Sequence, residues 1–139
     1  MVRPVARALL LRDGAALLIQ RDRGGETYFV LPGGGIELGE APLDACRREV
    51  REETGLTVSD FAEIVVVTGP RGPIHVFVAD APEGQLRLEG PELAWQSAEN
   101  RHMPVWIPIA DLDTLRLYPS EARAAVFTYL DRMGRDHHG

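Results

Sequence analysis

Three glutamates, Glu49, Glu52 and Glu53, stand three and four residues apart within the stretch Ala41 to Thr54. On a helix these spacings make surface neighbours, and like charges so placed repel by ~0.2–0.5 kcal/mol per pair. They also fall in the last turns, where the helix dipole disfavours anions. A sequence that breaks two helix rules at one place marks a place where function is expected. A hard cation would relieve the repulsion. Carboxylate oxygens suit Mg²⁺, Mn²⁺ or Ca²⁺, and a few carboxylates with retained waters suit Mg²⁺ bound together with substrate phosphates. The alternative is a solvated acidic face, common on surface helices.

A glycine run, Pro32-Gly33-Gly34-Gly35, leads toward the acidic stretch, with Glu37 and Glu40 between them. Glycines expose backbone groups, so such a loop can approach a phosphate or lend a carbonyl to a metal. It is equally what a plain turn would use. Around the helix at ~100° per residue, Leu43, Cys46 and Val50 form one stripe, which must be buried. Arg47, Arg48 and Arg51 lie around the other side from the acids. Upstream, Arg21 and Arg23 could clamp phosphates, since the guanidinium fork suits them. Tyr28, Trp95, His102 and Trp106 could stack on a base, Trp95 being the favoured one and Trp106 half core. Cys46, on the buried stripe, is inert packing.

The elements that must position these residues are legible in outline. Val5 to Arg12 reads as a strand, turned at Gly14 into Ala15 to Arg21. Asp22 to Thr27 reads as a polar loop, Tyr28 to Leu31 as a short strand, and the glycine run as a turn. The helix over Ala41 to Thr54 has Pro42 in its first turn and Gly55 as its stop. Phe61 to Thr68 and Ile74 to Ala79 read as strands, Pro82 to Arg101 as an acidic loop, and Val105 to Ile109 as a late strand. A second helix spans Pro119 to Met133, with Ala122, Val126, Tyr129 and Leu130 roughly on one side. Residues 1–133 make one domain and 134–139 a polar tail. Strands and helices mix without strict alternation, which predicts an α/β domain with a mixed sheet.

Composition removes other classes. The 139 residues carry a net charge of -6, against a surface that coats nucleic acid, and every basic residue is Arg, so lysine chemistry is excluded. A single cysteine rules out an internal disulfide and a cysteine-built zinc site. No apolar run approaches the ~20 residues a membrane span needs, and Arg12-Asp13-Gly14 cuts the first one too early for a signal peptide. A reducing cytoplasm is the expected location.

Together the acids and glycines resemble the Nudix hydrolase (MutT-like) family, whose signature is Gly-x5-Glu-x7-Arg-Glu-U-x-Glu-Glu-x-Gly-U, with U aliphatic. Gly34, Glu40, Arg48, Glu49, Val50, Glu52, Glu53, Gly55 and Leu56 meet every defined position. A chance match is on the order of one in 10⁷ at ordinary residue frequencies. The resemblance implies an α/β/α sandwich with a central mixed sheet. It also implies Mg²⁺-dependent (or Mn²⁺-dependent) hydrolysis of a nucleoside diphosphate linked to another group, such as ADP-ribose, or of a nucleoside triphosphate. Glu49, Glu52 and Glu53 match the family's metal ligands, with Gly33 as the glycine whose carbonyl often joins them. Arg48 matches the arginine that orients the adjacent Glu, and Glu40 a position that supports the loop. Catalysis would rest on Glu49, Glu52, Glu53 and Arg48, with Glu99 favoured as an acid from outside the motif and Glu92 behind it. Substrate contacts would come from Arg21, Arg23, Gly34, Gly35 and Trp95.

The expected partner is a nucleotide-type small molecule, with no membrane and no stable nucleic-acid binding, and a homodimer is left open. ADP-ribose hydrolases of the family carry a proline at a set distance past the motif, and Pro70 falls just short of it. A sensor module without turnover and an isomerase on the same scaffold are the other classes. Intact motif acids argue against the first, and the absence of a cysteine outside the motif argues against the second.

Overall fold

The computed structural model describes residues 3–87 and 100–138. Eight strands and two helices follow one another as β1 (Val5–Arg12), β2 (Ala15–Arg23), β3 (Glu26–Val30), β4 (Gly33–Gly35), α1 (Pro42–Thr54), β5 (Ala62–Gly69), β6 (Gly72–Asp80), β7 (Asn100–Pro108), β8 (Leu117–Tyr118) and α2 (Ser120–His138), with a 3₁₀ turn at Ile109–Thr114 before β8. Asp13 and Gly14 both take positive φ, as a two-residue hairpin turn requires. Gly24 and Gly25 do the same, so the expected loop at Asp22 to Thr27 is a second tight hairpin. Its polar residues pair across strands, Asp22 with Thr27 and Arg23 with Glu26. They are polar because they face water at the sheet's end, which conceals the strand period from a reading of hydrophobicity.

The strands form one mixed sheet, ordered β5-β6-β1-β2-β3-β8, with β4 paired to β1 and β7 to β2. β1 runs parallel to β6 and β3 parallel to β8, and the remaining pairs are antiparallel. One irregularity places the site. β1 pairs with β2 only over Leu10–Arg12, while its first half, Val5–Arg7, pairs with β4. β2 in turn continues beside β3 from Ile19 to Arg23. The two central strands therefore diverge, and the β3–β4 connection fills the fork. The glycine run, expected as a turn, is a strand whose backbone extends this fork.

Each face of the sheet carries a core. Ala6, Ala8, Leu10 and Leu17 pack with Ala45, Cys46 and Val50 of α1. Leu9, Leu11, Ala16 and Leu18 pack with Ala122 and Val126 of α2. Alternate residues of β1 and β2 thus serve opposite helices, which is why both strands read as continuous apolar runs rather than alternating ones. The α/β/α sandwich with a mixed sheet is as the sequence predicts.

Two boundaries differ. β7 begins at Asn100, five residues before the expected Val105, because Asn100 to Pro104 pair with Arg23 to Ile19 on the polar half of β2. α2 continues through the expected tail at Gly134 to His138. A side chain at Gly134 would meet nothing, and backbone hydrogen bonds can carry a helix past the end of its apolar stripe. Among the described residues, no helix is long and apolar enough to cross a membrane.

Candidate active site at the strand fork

α1 delivers the acids. Pro42 supplies φ for its first turn, and Gly55 ends it in the left-handed region at φ 79°, its N–H donating to the Arg51 carbonyl at 2.9 Å. Ala45, Cys46, Val50 and Thr54 are buried. The Thr54 hydroxyl donates to the Val50 carbonyl at 2.6 Å and accepts from the Leu56 N–H at 3.1 Å, so its burial is satisfied. Burial pushes the Cys46 thiol up to about 12, which fits a packing role.

The acids meet the glycines. Glu49 is 8% exposed, and a Cβ on Gly34 would stand 2.6 Å from its carboxyl carbon. A side chain at 34 would push that carboxylate out of its present position. The Gly33 N–H donates to Glu53 Oε2 at 3.2 Å. Gly33 itself has φ 145°, and a side chain there would run into the Ala6 carbonyl oxygen. Gly35 offers its carbonyl to Arg48 Nη2 at 3.1 Å.

Arg48 departs from the helical-wheel expectation. The family resemblance pairs it with the adjacent glutamate, but helix phase alone sets it across the helix with Arg47 and Arg51. Its side chain instead enters the acid patch. It donates to both carboxylate oxygens of Glu40 at 2.9 Å each and to Glu49 Oε1 at 2.9 Å, with Glu52 Oε2 at 3.8 Å. A long flexible stem lets a guanidinium reach a face its Cβ does not occupy. The Arg48 fork and the Glu37 N–H hold the Glu40 carboxyl below the usual range. In return the Glu40 carboxylate, with Glu49 behind it, raises the Arg48 guanidinium.

Beside this patch the fork opens into a cavity of about 250 Å³. Its walls are Ile19 and Arg21 of β2, Val30 of β3, Gly33 of β4, Glu53 of α1, Arg7 of β1 and His102 of β7. Arg21 lies across from His102 in register, its Nη2 donates to Asn100 at 3.3 Å, and its guanidinium stands 5.7 Å from the Tyr28 ring centre. The buried Nε atoms of Arg7 and Arg21 find no partner among the described residues. A buried N–H left unpaired is costly. Arg7 Nη1 donates to the carbonyls of Gly33 at 3.0 Å and Leu31 at 3.2 Å. Burial lowers the Arg7 guanidinium, and Glu53 and Glu49 oppose that.

The expected residues distribute unevenly. Gly33, Glu53 and Arg21 line the cleft, and Gly34 and Glu49 lie against each other beside it. Gly35 and Glu52 stand beside it through Arg48. Arg23 lies exposed at the hairpin end, away from the cavity walls. Trp106 is partly buried against the α1 core. Trp95, Glu92 and Glu99 lie outside the described residues. Arg7, Ile19 and Val30 are not singled out by sequence for the cleft, whereas His102, one of the residues that could stack on a base, does line it. A charged residue inside the apolar run Val5 to Leu11 was the available signal for Arg7.

Among the described residues, no three His, Cys, Asp or Glu side chains converge as a ready cation site. Glu49 is turned to Arg48, Glu53 to the Gly33 N–H, and the Gly33 carbonyl accepts from Arg7. The donor set is nonetheless all oxygen. The glycine cradle that admits the Glu49 carboxylate fits a hard divalent ion once those side chains turn from their protein partners.

Residues 1–128 match the family model for the NUDIX domain. The chain belongs to the NUDIX family. Over 119 residues it is 34% identical to the MutT4 protein of Mycobacterium tuberculosis, covering 80% of this chain and 45% of that one. Over 86 residues it is 35% identical to the ADP-ribose pyrophosphatase of Methanocaldococcus jannaschii, covering 57% of this chain and 51% of that one. The chain thus spans about half the length of these two relatives. The crystal structure of a MutT NUDIX hydrolase from Burkholderia pseudomallei superposes with a TM-score of 0.65 at 27% identity, covering 81% of this chain and 87% of that one. In this NUDIX chain the signature acids Glu49 and Glu53 meet the glycine strand, Glu49 beside Gly34 and Glu53 at the Gly33 N–H.

Proposed function

We propose that this NUDIX chain hydrolyses the pyrophosphate of a nucleoside diphosphate linked to another group, with Mg²⁺ or Mn²⁺ as cofactor. The observation that carries the reading is the meeting of Glu49 and Glu53 with Gly33 and Gly34, beside a cleft lined by two arginines. Glu49, Glu52, Glu53 and the Gly33 carbonyl would hold the metal. Once bound, it would neutralise pyrophosphate oxygens and acidify the attacking water.

The remaining work falls to the chain. Arg48 holds Glu40 and the Gly35 carbonyl in place, while Glu49 would turn from Arg48 to the metal. Arg21 donates to a phosphate oxygen, and Arg23 reaches the part of the substrate beyond the cavity. Trp95 is the favoured ring for a base to stack on, with Tyr28, beside Arg21, as the second. A carboxylate takes the proton of the attacking water: Glu49, Glu53 or, from outside the motif, Glu99. The M. jannaschii relative is named for ADP-ribose, which supports a nucleotide-sugar substrate for this chain as well.

A panel of nucleotide sugars and nucleoside triphosphates, incubated with Mg²⁺ and read by phosphate release after phosphatase coupling, tests the reading. One or more should turn over with Mg²⁺ and none with chelator present. Failure across the panel with both Mg²⁺ and Mn²⁺ would overturn it.

A further inference from the structure

The sheet ends on one side at β5, whose outer edge pairs with no strand among the described residues. On its inner side Val66 lies opposite His75, Val67 opposite Ile74 and Thr68 opposite Pro73. Proline has no N–H to give, so Thr68 and Pro73 form a non-hydrogen-bonded pair of the antiparallel ladder. The ladder alternates, so Val66 and His75 form another. The N–H and C=O groups of Val66 and Thr68 therefore point away from β6, and they find no partner among the described residues.

Proteins commonly blunt such an edge with a charge, a proline or a bulge. β5 does so only at its start, where Glu63 is its one charged residue and the register shifts between Glu63 and Val65. From Ile64 to Thr68 the strand reads Ile-Val-Val-Val-Thr, β-branched throughout. Ile64, Val65 and Val67 pack toward the α2 core, but Val66 is 46% exposed. A second copy of the strand complements this edge in backbone and in charge. A two-fold axis at Val66 sets that residue opposite itself, so the outward N–H and C=O groups of the two copies exchange hydrogen bonds. The same axis sets Glu63 opposite Gly69 of the partner subunit. Arg71 of the partner subunit then lies about 7 Å further along the strand, in the turn, within reach of an arginine stem. Arg71 is exposed and has no ion pair among the described residues. Glu63 Oε2 meets His75 Nδ1 at 2.9 Å, and its side chain is still 42% exposed. We infer that β5 is a dimer interface, at which two copies of this chain join edge to edge, antiparallel, into one continuous sheet with a Glu63–Arg71 ion pair at each end.

Sedimentation velocity over a dilution series of the full chain tests the pairing. The faster species should have twice the 15.3 kDa mass of one chain and should dissociate on dilution. Val66→Lys, which puts a charge on the open edge, should raise the dimer Kd about tenfold or more. Arg71→Glu and Glu63→Arg should each weaken the dimer by a similar factor, and the double charge swap should recover most of that loss. All three side chains are exposed, so the variants should melt as the wild type does. In the wild type, amide exchange at Val66 and Thr68 should slow as the dimer forms, whereas Val67, already bonded to β6, should not change. A monomer at every concentration, an assembly larger than a dimer, or unchanged exchange at Val66 and Thr68 would overturn the interface. So would a dimer indifferent to Val66→Lys. A double swap no better than either single variant would overturn the two-fold register on Val66.

Discussion

At the residue scale the carboxylates of α1 are not interchangeable. Glu49 is buried against Gly34 and paired to Arg48, Glu53 is held by the Gly33 N–H, and Glu52 reaches Arg48 only at 3.8 Å. Glu52→Gln and Glu53→Gln should each lower kcat about a hundredfold, the size expected when a charge that stabilises the transition state is lost. Metal-free stability should hold or rise, because a like-charge contact is relieved. Folded variants with near wild-type turnover would show that these acids do not serve the reaction. Glu40 carries a pH signature. Its carboxyl is held below the ordinary value of about 4.3, first by Arg48 and then by the Glu37 N–H. A depressed acid stabilises the fold above its unfolded pKa and loses that contribution as pH falls through its folded pKa. Glu40→Gln should therefore be less stable than wild type at pH 7, and the gap should begin to narrow only as pH falls below the ordinary carboxylate value of about 4.3. Denaturant melts across pH 3–7 measure it, and a gap that stayed constant would remove Arg48–Glu40 as a pH-linked pair.

At the element scale α1 depends on how it ends. Gly55 sits at φ 79°, and a Cβ there would approach Arg87 Cγ to 2.8 Å. Gly55→Ala should cost at least ~1–2 kcal/mol for the left-handed backbone alone. The urea midpoint should shift accordingly, and a change under half a kcal/mol would mean that the helix end relaxes freely. The same element hides Cys46, which is 0% exposed. A thiol reagent should label it only after denaturation, and rapid labelling of the native protein would show that the α1 face opens locally.

At the scale of the whole molecule, the cleft exists because two central strands part. Metal binding at the α1 end of that fork should couple to global stability, since a ligand bound only by the native state adds RT ln(1 + [L]/Kd), ~2.7 kcal/mol at a hundred times Kd. For a domain of this size that is a Tm rise on the order of 8 °C. Mg²⁺ or Mn²⁺ should produce it in the wild type and much less in Glu53→Gln by scanning calorimetry. Equal shifts in both proteins would place the ions elsewhere.

What the sequence determined by itself was the local, periodic part. Residues 41–56 carry their helix, its proline start, its glycine stop and its acid patch within four turns, so spacing alone exposes them. The apolar runs of β1, β2 and β6 were equally plain, because strands buried on both faces read as continuous hydrophobic stretches. Tertiary structure decided the rest. Arg7, Arg21 and His102 meet only through strand pairing across long sequence separation, and register carries no sequence period of its own. The glycine run became a strand because β1 offered it an edge, and Arg48 crossed to the acids because Glu40 and Glu49 were waiting there. Polar strand ends at Asp22 to Thr27 and Asn100 to Pro104 were hidden for the same reason: their pairing is backbone to backbone, and their side chains report the solvent rather than the sheet.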